Sequence, residues 1–195
     1  MRPDRLYVLI GLASWPLIYG PFRLRARGRD EIPTGGFVIA ANHTSNLDPW
    51  PLGMPLWPDR QLRFMAKSEL YWWPLKWVLE AGGAFPVRRG EGDAEAIETA
   101  VKLCREGHIV AMFPEGTRRQ KGLVKRYEAR PHTGAARIAD EAGVPLVPAA
   151  IKGTDRVSRL GPLRVAYGAP IEPGESHRET TDRLMAEIER LYAGL

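Results

Sequence analysis

Several large classes of protein are excluded by what this chain of 195 residues does not contain. It has one cysteine, Cys104, so no intramolecular disulfide framework can form and a reducing compartment is the default. Neither C-x-x-C nor H-E-x-x-H occurs, so the usual zinc and redox signatures are missing. The glycine-rich pieces match neither a dinucleotide fingerprint nor a P-loop. No serine-centred G-x-S-x-G elbow is present, which argues against a covalent acyl-serine route. Repeats, linkers and low-complexity tracts are absent. The longest uncharged apolar segment, residues 6–22, has 17 residues broken by Gly11, Pro16 and Gly20. As a helix it would reach about 25 Å at about 1.5 Å per residue, short of a hydrocarbon core of about 30 Å.

What remains is the composition of a folded protein. Hydrophobic residues make up 44% and charged residues 26%, which suits one domain with a full core and not a disordered chain. The organisation read from this is an apolar N-terminal segment, residues 1–22, followed by a single domain over residues 23–195. A net charge of +5 points to an anionic partner: nucleic acid, a membrane surface or a phosphorylated small molecule. Arg2 and Arg5 precede the apolar segment, and Arg23, Arg25, Arg27 and Arg29 follow it. That pattern suits a helix lying in one leaflet with arginines on anionic headgroups; a helix docked on the domain itself is the alternative. The segment lacks a small-x-small cleavage site after a polar region, so a signal peptide is not the favoured reading. Five of the six tryptophans (Trp50, Trp57, Trp72, Trp73, Trp77) lie among prolines and leucines. Tryptophan suits a membrane interface because its ring is apolar and its N–H needs a polar partner. This clustering, away from the arginine-rich loop, argues against a nucleic-acid stacking groove.

Strand and helix patterns alternate along the rest of the chain. Apolar runs at 37–41, 62–66, 84–88, 108–113, 144–151 and 163–167 read as strands. Helical spacing appears at 69–80, with a kink at Pro74, and at 93–106, 133–142 and 180–192. Cys104 falls on the stripe of Ile97, Ala100 and Val101, which makes it a buried, inert thiol. Such alternation predicts an α/β fold with a largely parallel sheet covered on both faces.

Two polar constellations follow strands, where loops display reactive groups on a rigid scaffold. The first is Asn42-His43-Thr44-Ser45-Asn46-Leu47-Asp48, with His43 and Asp48 in an H-x4-D spacing. In a turn the two side chains converge. A carboxylate on one imidazole nitrogen fixes the tautomer and leaves the other nitrogen as a base. The second is Phe113-Pro114-Glu115-Gly116-Thr117-Arg118. There Gly116 lets backbone N–H groups approach an anion, Arg118 can grip a phosphate with two parallel bonds, and Glu115 can orient that arginine or accept from a substrate hydroxyl. Arg89 adds a cation at a third strand end.

These stretches resemble the glycerophospholipid acyltransferase superfamily, most like the 1-acylglycerol-3-phosphate acyltransferases. Four motifs stand in the family's order: Asn42-His43-x4-Asp48; Phe85-Pro86-Val87-Arg88-Arg89; Phe113 to Arg118; and Val144-Pro145-Leu146-Val147-Pro148. The resemblance implies transfer of a fatty acyl group from acyl-CoA or acyl carrier protein to the hydroxyl of 1-acylglycerol-3-phosphate, giving phosphatidic acid. His43 would be the general base and Asp48 its orienter. Arg89, Glu115, Gly116, Thr117 and Arg118 would hold the acceptor's phosphate end. No cofactor or metal is implied, because a thioester is already an activated donor. Other acceptors, among them glycerol-3-phosphate, another lysophospholipid or a glycolipid, stay open, as does a non-catalytic basic membrane-surface module. The expected place is the cytoplasmic face of the cell membrane, peripheral or monotopic. Two departures stand out. Arg88 occupies a position where the family often has aspartate, and His132 stands two residues before Gly134, where the family commonly has lysine. His132 could replace that lysine only when protonated; Lys125, Arg126 or Arg130 are the alternatives.

Overall fold

The structure, a computed structural model, describes residues 3–87, 93–115 and 131–195. Its centre is a seven-stranded sheet: β1 (Arg25–Arg27), β2 (Phe37–Ala41), β3 (Leu62–Lys67), β4 (Ala84–Val87), β5 (Ile109–Met112), β6 (Leu146–Lys152) and β7 (Arg164–Tyr167), in the order β1-β7-β6-β2-β5-β3-β4. Strands β2 to β6 run parallel; β7 is antiparallel to β6, and β1 is parallel to β7. The described residues also form helices α1 (Arg5–Tyr19), α2 (Pro49–Gly53), α3 (Leu75–Ala81), α4 (Asp93–Arg105), α5 (Gly134–Ala142) and α6 (His177–Ala193).

The two sheet faces build separate cores. Phe37, Ile39 and Ala41 of β2 pack with Ile18 of α1 and Leu52 of α2. Val38 and Ala40 point the other way, against Ala100 and Cys104 of α4, Ile138 of α5 and Leu184 of α6. Every residue of β2 is buried, which is why its sequence shows an unbroken apolar run and no alternation. The expected α/β sheet with helices on both faces is present.

Several local expectations are corrected. No helix spans 69–80: Ser68–Leu70 form a 3-10 turn and α3 starts only after Pro74. Proline lacks an N–H and clashes with the preceding turn, so it delays this helix where a kink was expected. Helix α6 starts three residues earlier than its apolar pattern, because Ser176 caps it: the Ser176 hydroxyl accepts from the N–H of Glu179. Arg25–Arg27, charged at alternate positions, forms an edge strand that apolar patterning could not reveal.

Helix α1 runs through both Gly11 and Pro16. It docks on the domain by a narrow face. Ile18 enters the core, and a Cβ at Gly11 would collide with the indole of Trp57. Its other side leaves Leu6, Leu9, Leu12, Trp15 and Leu17 exposed. Helix α3 and its approach expose Leu70, Trp72, Trp73, Trp77 and Val78 beside it. Among the described residues no helix is long and apolar enough to cross a membrane.

Candidate active site

The carboxyl ends of β2, β5 and β6 share one rim, and β2 sits where the connections diverge. From β2 the chain passes through α2 to β3 on one side; from β5 it passes through α5 to β6 on the other. Open α/β sheets bind ligands in the crevice outside the carboxyl ends of strands at such a switch point. His43 leaves β2 at that crevice.

The turn that follows is wound around Asp48, whose side chain is 0% exposed while that of His43 is 18% exposed. Asp48 Oδ2 accepts three N–H bonds: from His43 Nδ1 at 2.8 Å, the Thr44 backbone at 2.7 Å and the Ser45 backbone at 2.9 Å. A carboxylate oxygen that accepts from two backbone donors can only accept from the third. Nδ1 therefore carries the proton and Nε2 of the neutral ring is left with a lone pair. The imidazole lies on Phe113, with ring centroids 4.3 Å apart and an interplanar angle of 24°. That stack ties the β5 constellation to the β2 one, so two of the sequence motifs meet as their strand ends predicted.

The turn is also bolted to β6. Past the last ladder pair, the Asn42 carboxamide takes over the role of a strand: Nδ2 donates to the Ile151 carbonyl at 2.9 Å, and Oδ1 accepts from the Ile151 N–H at 2.8 Å. Thr154, buried just beyond β6, shares a hydrogen bond of 2.9 Å with the hydroxyl of Thr44. Thr44 thus touches Asp48 with its backbone and Thr154 with its side chain. The sequence reading missed Thr154, Phe113 as a stacking partner, and the amides of Thr44 and Ser45. One signal was available for Thr154: it is a hydroxyl two residues past a buried strand, behind a glycine.

Glu115 follows Phe113 and Pro114 at this rim and is half-buried. His132 is exposed, and its backbone N–H donates to the Pro114 carbonyl at 2.9 Å, so the chain returns to the same place before α5. Arg88, Arg89, Gly116, Thr117, Arg118, Lys125, Arg126 and Arg130 lie outside the described residues. Among the described residues no group of three or more His, Cys, Asp or Glu could hold a metal ion. The rest of the fourth motif, from Leu146 to Pro148, is buried strand within β6.

Residues 23–152 match the acyltransferase family. A 1-acyl-sn-glycerol-3-phosphate acyltransferase of Bacillus subtilis is 34% identical over 86% of this chain and 84% of its own. The chain belongs to the acyltransferase family. A lyso-ornithine lipid O-acyltransferase of Pseudomonas aeruginosa is 35% identical over 67% of this acyltransferase. A chloroplast 1-acyl-sn-glycerol-3-phosphate acyltransferase of Brassica napus is 28% identical over 74% of it. The chain spans 48% of the Pseudomonas protein and 41% of the Brassica one. The crystal structure of a 1-acyl-sn-glycerophosphate acyltransferase from Thermotoga maritima superposes with a TM-score of 0.68, covering 95% of this chain and 78% of that one at 24% identity. That likeness establishes the fold.

Proposed function

We propose that this acyltransferase moves a fatty acyl group from a thioester to the free hydroxyl of 1-acylglycerol-3-phosphate, giving phosphatidic acid. The observation that carries the reading is the buried Asp48 carboxylate, which holds the Nδ1–H of His43 and so leaves the lone pair on Nε2 of a partly exposed ring. Family membership supplies the reaction class.

The chemistry follows from the bonds. A glycerol hydroxyl is a weak nucleophile at neutral pH. His43 Nε2 takes its proton as the oxygen attacks the thioester carbon, and general-base assistance contributes about 10²–10⁴-fold. The carbon–sulfur bond breaks as the ester forms, and the proton on His43 passes to the departing thiolate. Asp48 faces the cation that forms transiently on the ring and keeps the ring from turning. Thr44, Thr154 and Asn42 hold the turn so that no reorganisation is needed at the moment of attack. Arg89, Gly116, Thr117 and Arg118 hold the acceptor's phosphate, with Glu115 orienting the arginine.

Leaflet association belongs to the same reading, because the acceptor is itself a membrane lipid. The apolar sides of α1 and of α3 with its approach support it: Trp73 is 79% exposed, and Trp72, Trp77, Leu9 and Leu12 are more than half exposed. The protein would rest on one leaflet, at the cytoplasmic face of the membrane.

The test is a donor-by-acceptor panel with products read by mass spectrometry. Acyl-CoA and acyl carrier protein are offered with 1-acylglycerol-3-phosphate, glycerol-3-phosphate and lyso-ornithine lipid. Phosphatidic acid is expected from the first acceptor, and His43→Ala should abolish it in a folded protein. Preferential acylation of lyso-ornithine lipid would replace the acceptor assignment, a reading that the Pseudomonas relative favours.

A further inference from the structure

One edge of the sheet carries charge that the fold does not use. The register sets Arg25 of β1 beside Arg164 of β7, and Arg164 beside Lys152 of β6. Partners on neighbouring strands project to the same face. The alternate positions Ala26, Val165 and Ile151 pack into the core on the α1 side, so the three cations point to the α6 side. The neighbouring side chains agree: Arg27 donates to the Leu191 carbonyl of α6 at 3.3 Å, and the Lys152 ammonium lies 5.3 Å above the Tyr192 ring. Like charges placed directly opposite each other are destabilising. Among the described residues none of the three has a carboxylate within ion-pair distance.

The carboxyl end of α6 accounts for part of this, since a helix C-terminus favours cations. Arg27 serves it through the Leu191 carbonyl, and Lys152 lies close by. Arg25 is not answered by it. Arg164 is fixed by two backbone carbonyls, those of Arg23 at 3.1 Å and Leu163 at 3.0 Å, both to Nη1. Among the described residues its remaining N–H groups meet no side-chain or backbone acceptor and are open to a ligand.

The strip also has a defined place relative to His43. Along β6, Ile151 is clamped by Asn42, Lys152 comes next, and Thr154 meets Thr44. Arg25 and Arg164 open their strands at the same rim, because β7 and β1 run against β6. At about 4.8 Å per strand, β6, β7 and β1 lie about 5, 10 and 14 Å from β2. The exposed apolar side of α1 is across the sheet. The strip therefore faces water when α1 faces a leaflet.

We propose that Arg25, Arg164 and Lys152 form the docking strip for the phosphate-bearing end of the acyl donor. The ligand chemistry is the phosphate ester of a phosphopantetheine thioester, which coenzyme A and acyl carrier protein share. This rests on the acyl-transfer reading of the His43 rim. The donor arrives from water on the α6 side, its uncharged pantetheine arm crosses the strand ends, and the thioester carbon reaches His43. The lipid acceptor enters from the α1 side. Two substrates of opposite solubility thus approach one base from opposite faces of the sheet.

The experiment uses the full chain, vesicle-borne 1-acylglycerol-3-phosphate and three palmitoyl thioesters: coenzyme A, acyl carrier protein and N-acetylcysteamine, the last without phosphate. The variants are Arg25→Gln with Lys152→Gln, and the same pair with Arg164→Gln. The double variant keeps Arg164 and its backbone bonds, so the test does not depend on the triple variant folding. KM for the phosphate-bearing donors should rise about tenfold or more with kcat unchanged. Transfer from the N-acetylcysteamine thioester should not change. The wild-type KM should climb with salt and the variant KM should stay flat. A rise with both carriers assigns the shared phosphate ester, and a rise with one alone assigns the strip to that carrier's further anionic groups. Unchanged KM for both carriers overturns the proposal, as does an equal loss with the truncated thioester. Weaker binding to anionic vesicles at unchanged KM also overturns it and makes the strip a lipid contact. If the wild-type protein transfers from none of the three donors, the acyl-transfer reading itself falls.

Discussion

Replacing Asp48 by asparagine removes one charge from the site at nearly constant shape, and its two consequences can be worked separately. The carboxamide oxygen can occupy the place of Oδ2 and still accept from His43, Thr44 and Ser45. Hydrogen bonds to a charged group contribute about 1.5–3 kcal/mol and neutral ones about 0.5–1.5 kcal/mol. Three weakened bonds give a loss of about 3 kcal/mol in stability, less for the part of the turn that water reaches. The catalytic loss is larger. With oxygen facing the ring, the tautomer is kept but nothing compensates the imidazolium that forms as Nε2 takes the proton. With the amide N–H₂ facing the ring, Nδ1 must accept, the proton moves to Nε2, and the base is gone. Asp48 is fully buried, so no water can restore the charge. Either orientation gives a fall in kcat of about 10²–10⁴-fold, about 3–5 kcal/mol of barrier. Turnover is read by capturing the thiol released from acyl-CoA, and folding by circular dichroism and thermal melting. A folded Asp48→Asn protein that keeps turnover within about tenfold of wild type would refute the assignment of Asp48.

Thr154→Val removes the hydroxyl that holds Thr44 from β6 and should lower kcat about tenfold, with KM little changed; Thr154→Ser should restore most of it, which a mere packing role would not require. Arg118→Lys keeps charge but loses the planar fork, so it should impair a phosphorylated acceptor far more than one lacking phosphate, measured side by side. Burial pushes the Cys104 thiol up to about 12, so at about pH 8 it should resist a thiol reagent until the protein is denatured. The same shift has a sign: the folded state holds this proton more tightly than the unfolded state, so the stability it supports is intact below about pH 9 and is lost between about pH 9 and 12, which urea titration at stepped pH should show.

The parts of the fold legible in the sequence were those where burial sets the pattern. The run at 37–41 is apolar because both of its faces are covered, and β2 appears there without change. The stripe ending at Cys104 faced the core as its spacing required. Elements decided by tertiary context were not legible. Arg25–Arg27 is a strand only because β7 offers its edge, and no apolar alternation announces it. The start of α6 depends on one cap, Ser176, that lies outside the periodic stretch. In the site, H-x4-D spacing was enough to bring His43 and Asp48 together, because their separation in the chain is that of a single turn. Thr154 is 110 residues from Thr44, and only the register of β6 on β2 brings them into contact. Arg89 and Arg118, proposed from motif and chemistry to hold phosphate, lie outside the described residues.

The N-terminal segment posed a choice between a helix docked on the domain and a helix lying in a leaflet, and its geometry makes the two compatible. Tyr7, Gly11, Ser14 and Ile18 recur at intervals of three or four and turn inward, Gly11 because nothing larger fits against Trp57. Leu6, Leu9, Leu12, Trp15 and Leu17 are left outside, each close to half exposed. Fully burying such a side chain is worth about 1.5–3 kcal/mol, so the exposed halves of five give about 5 kcal/mol. That corresponds to an association near the millimolar to sub-millimolar range, reversible and well short of a spanning helix. The tryptophans of α3 and of its approach add to it beside α1, and salt should matter little to this apolar part. Deleting residues 1–22 is then the wrong test of anchoring, because it strips Ile18 and Phe22 from the core along with the outer face. Leu9→Glu with Leu12→Glu changes only the outer face. Vesicle binding that survives this pair in a fully folded protein would leave α1 as a structural helix, with Trp72, Trp73 and Trp77 as the remaining contact.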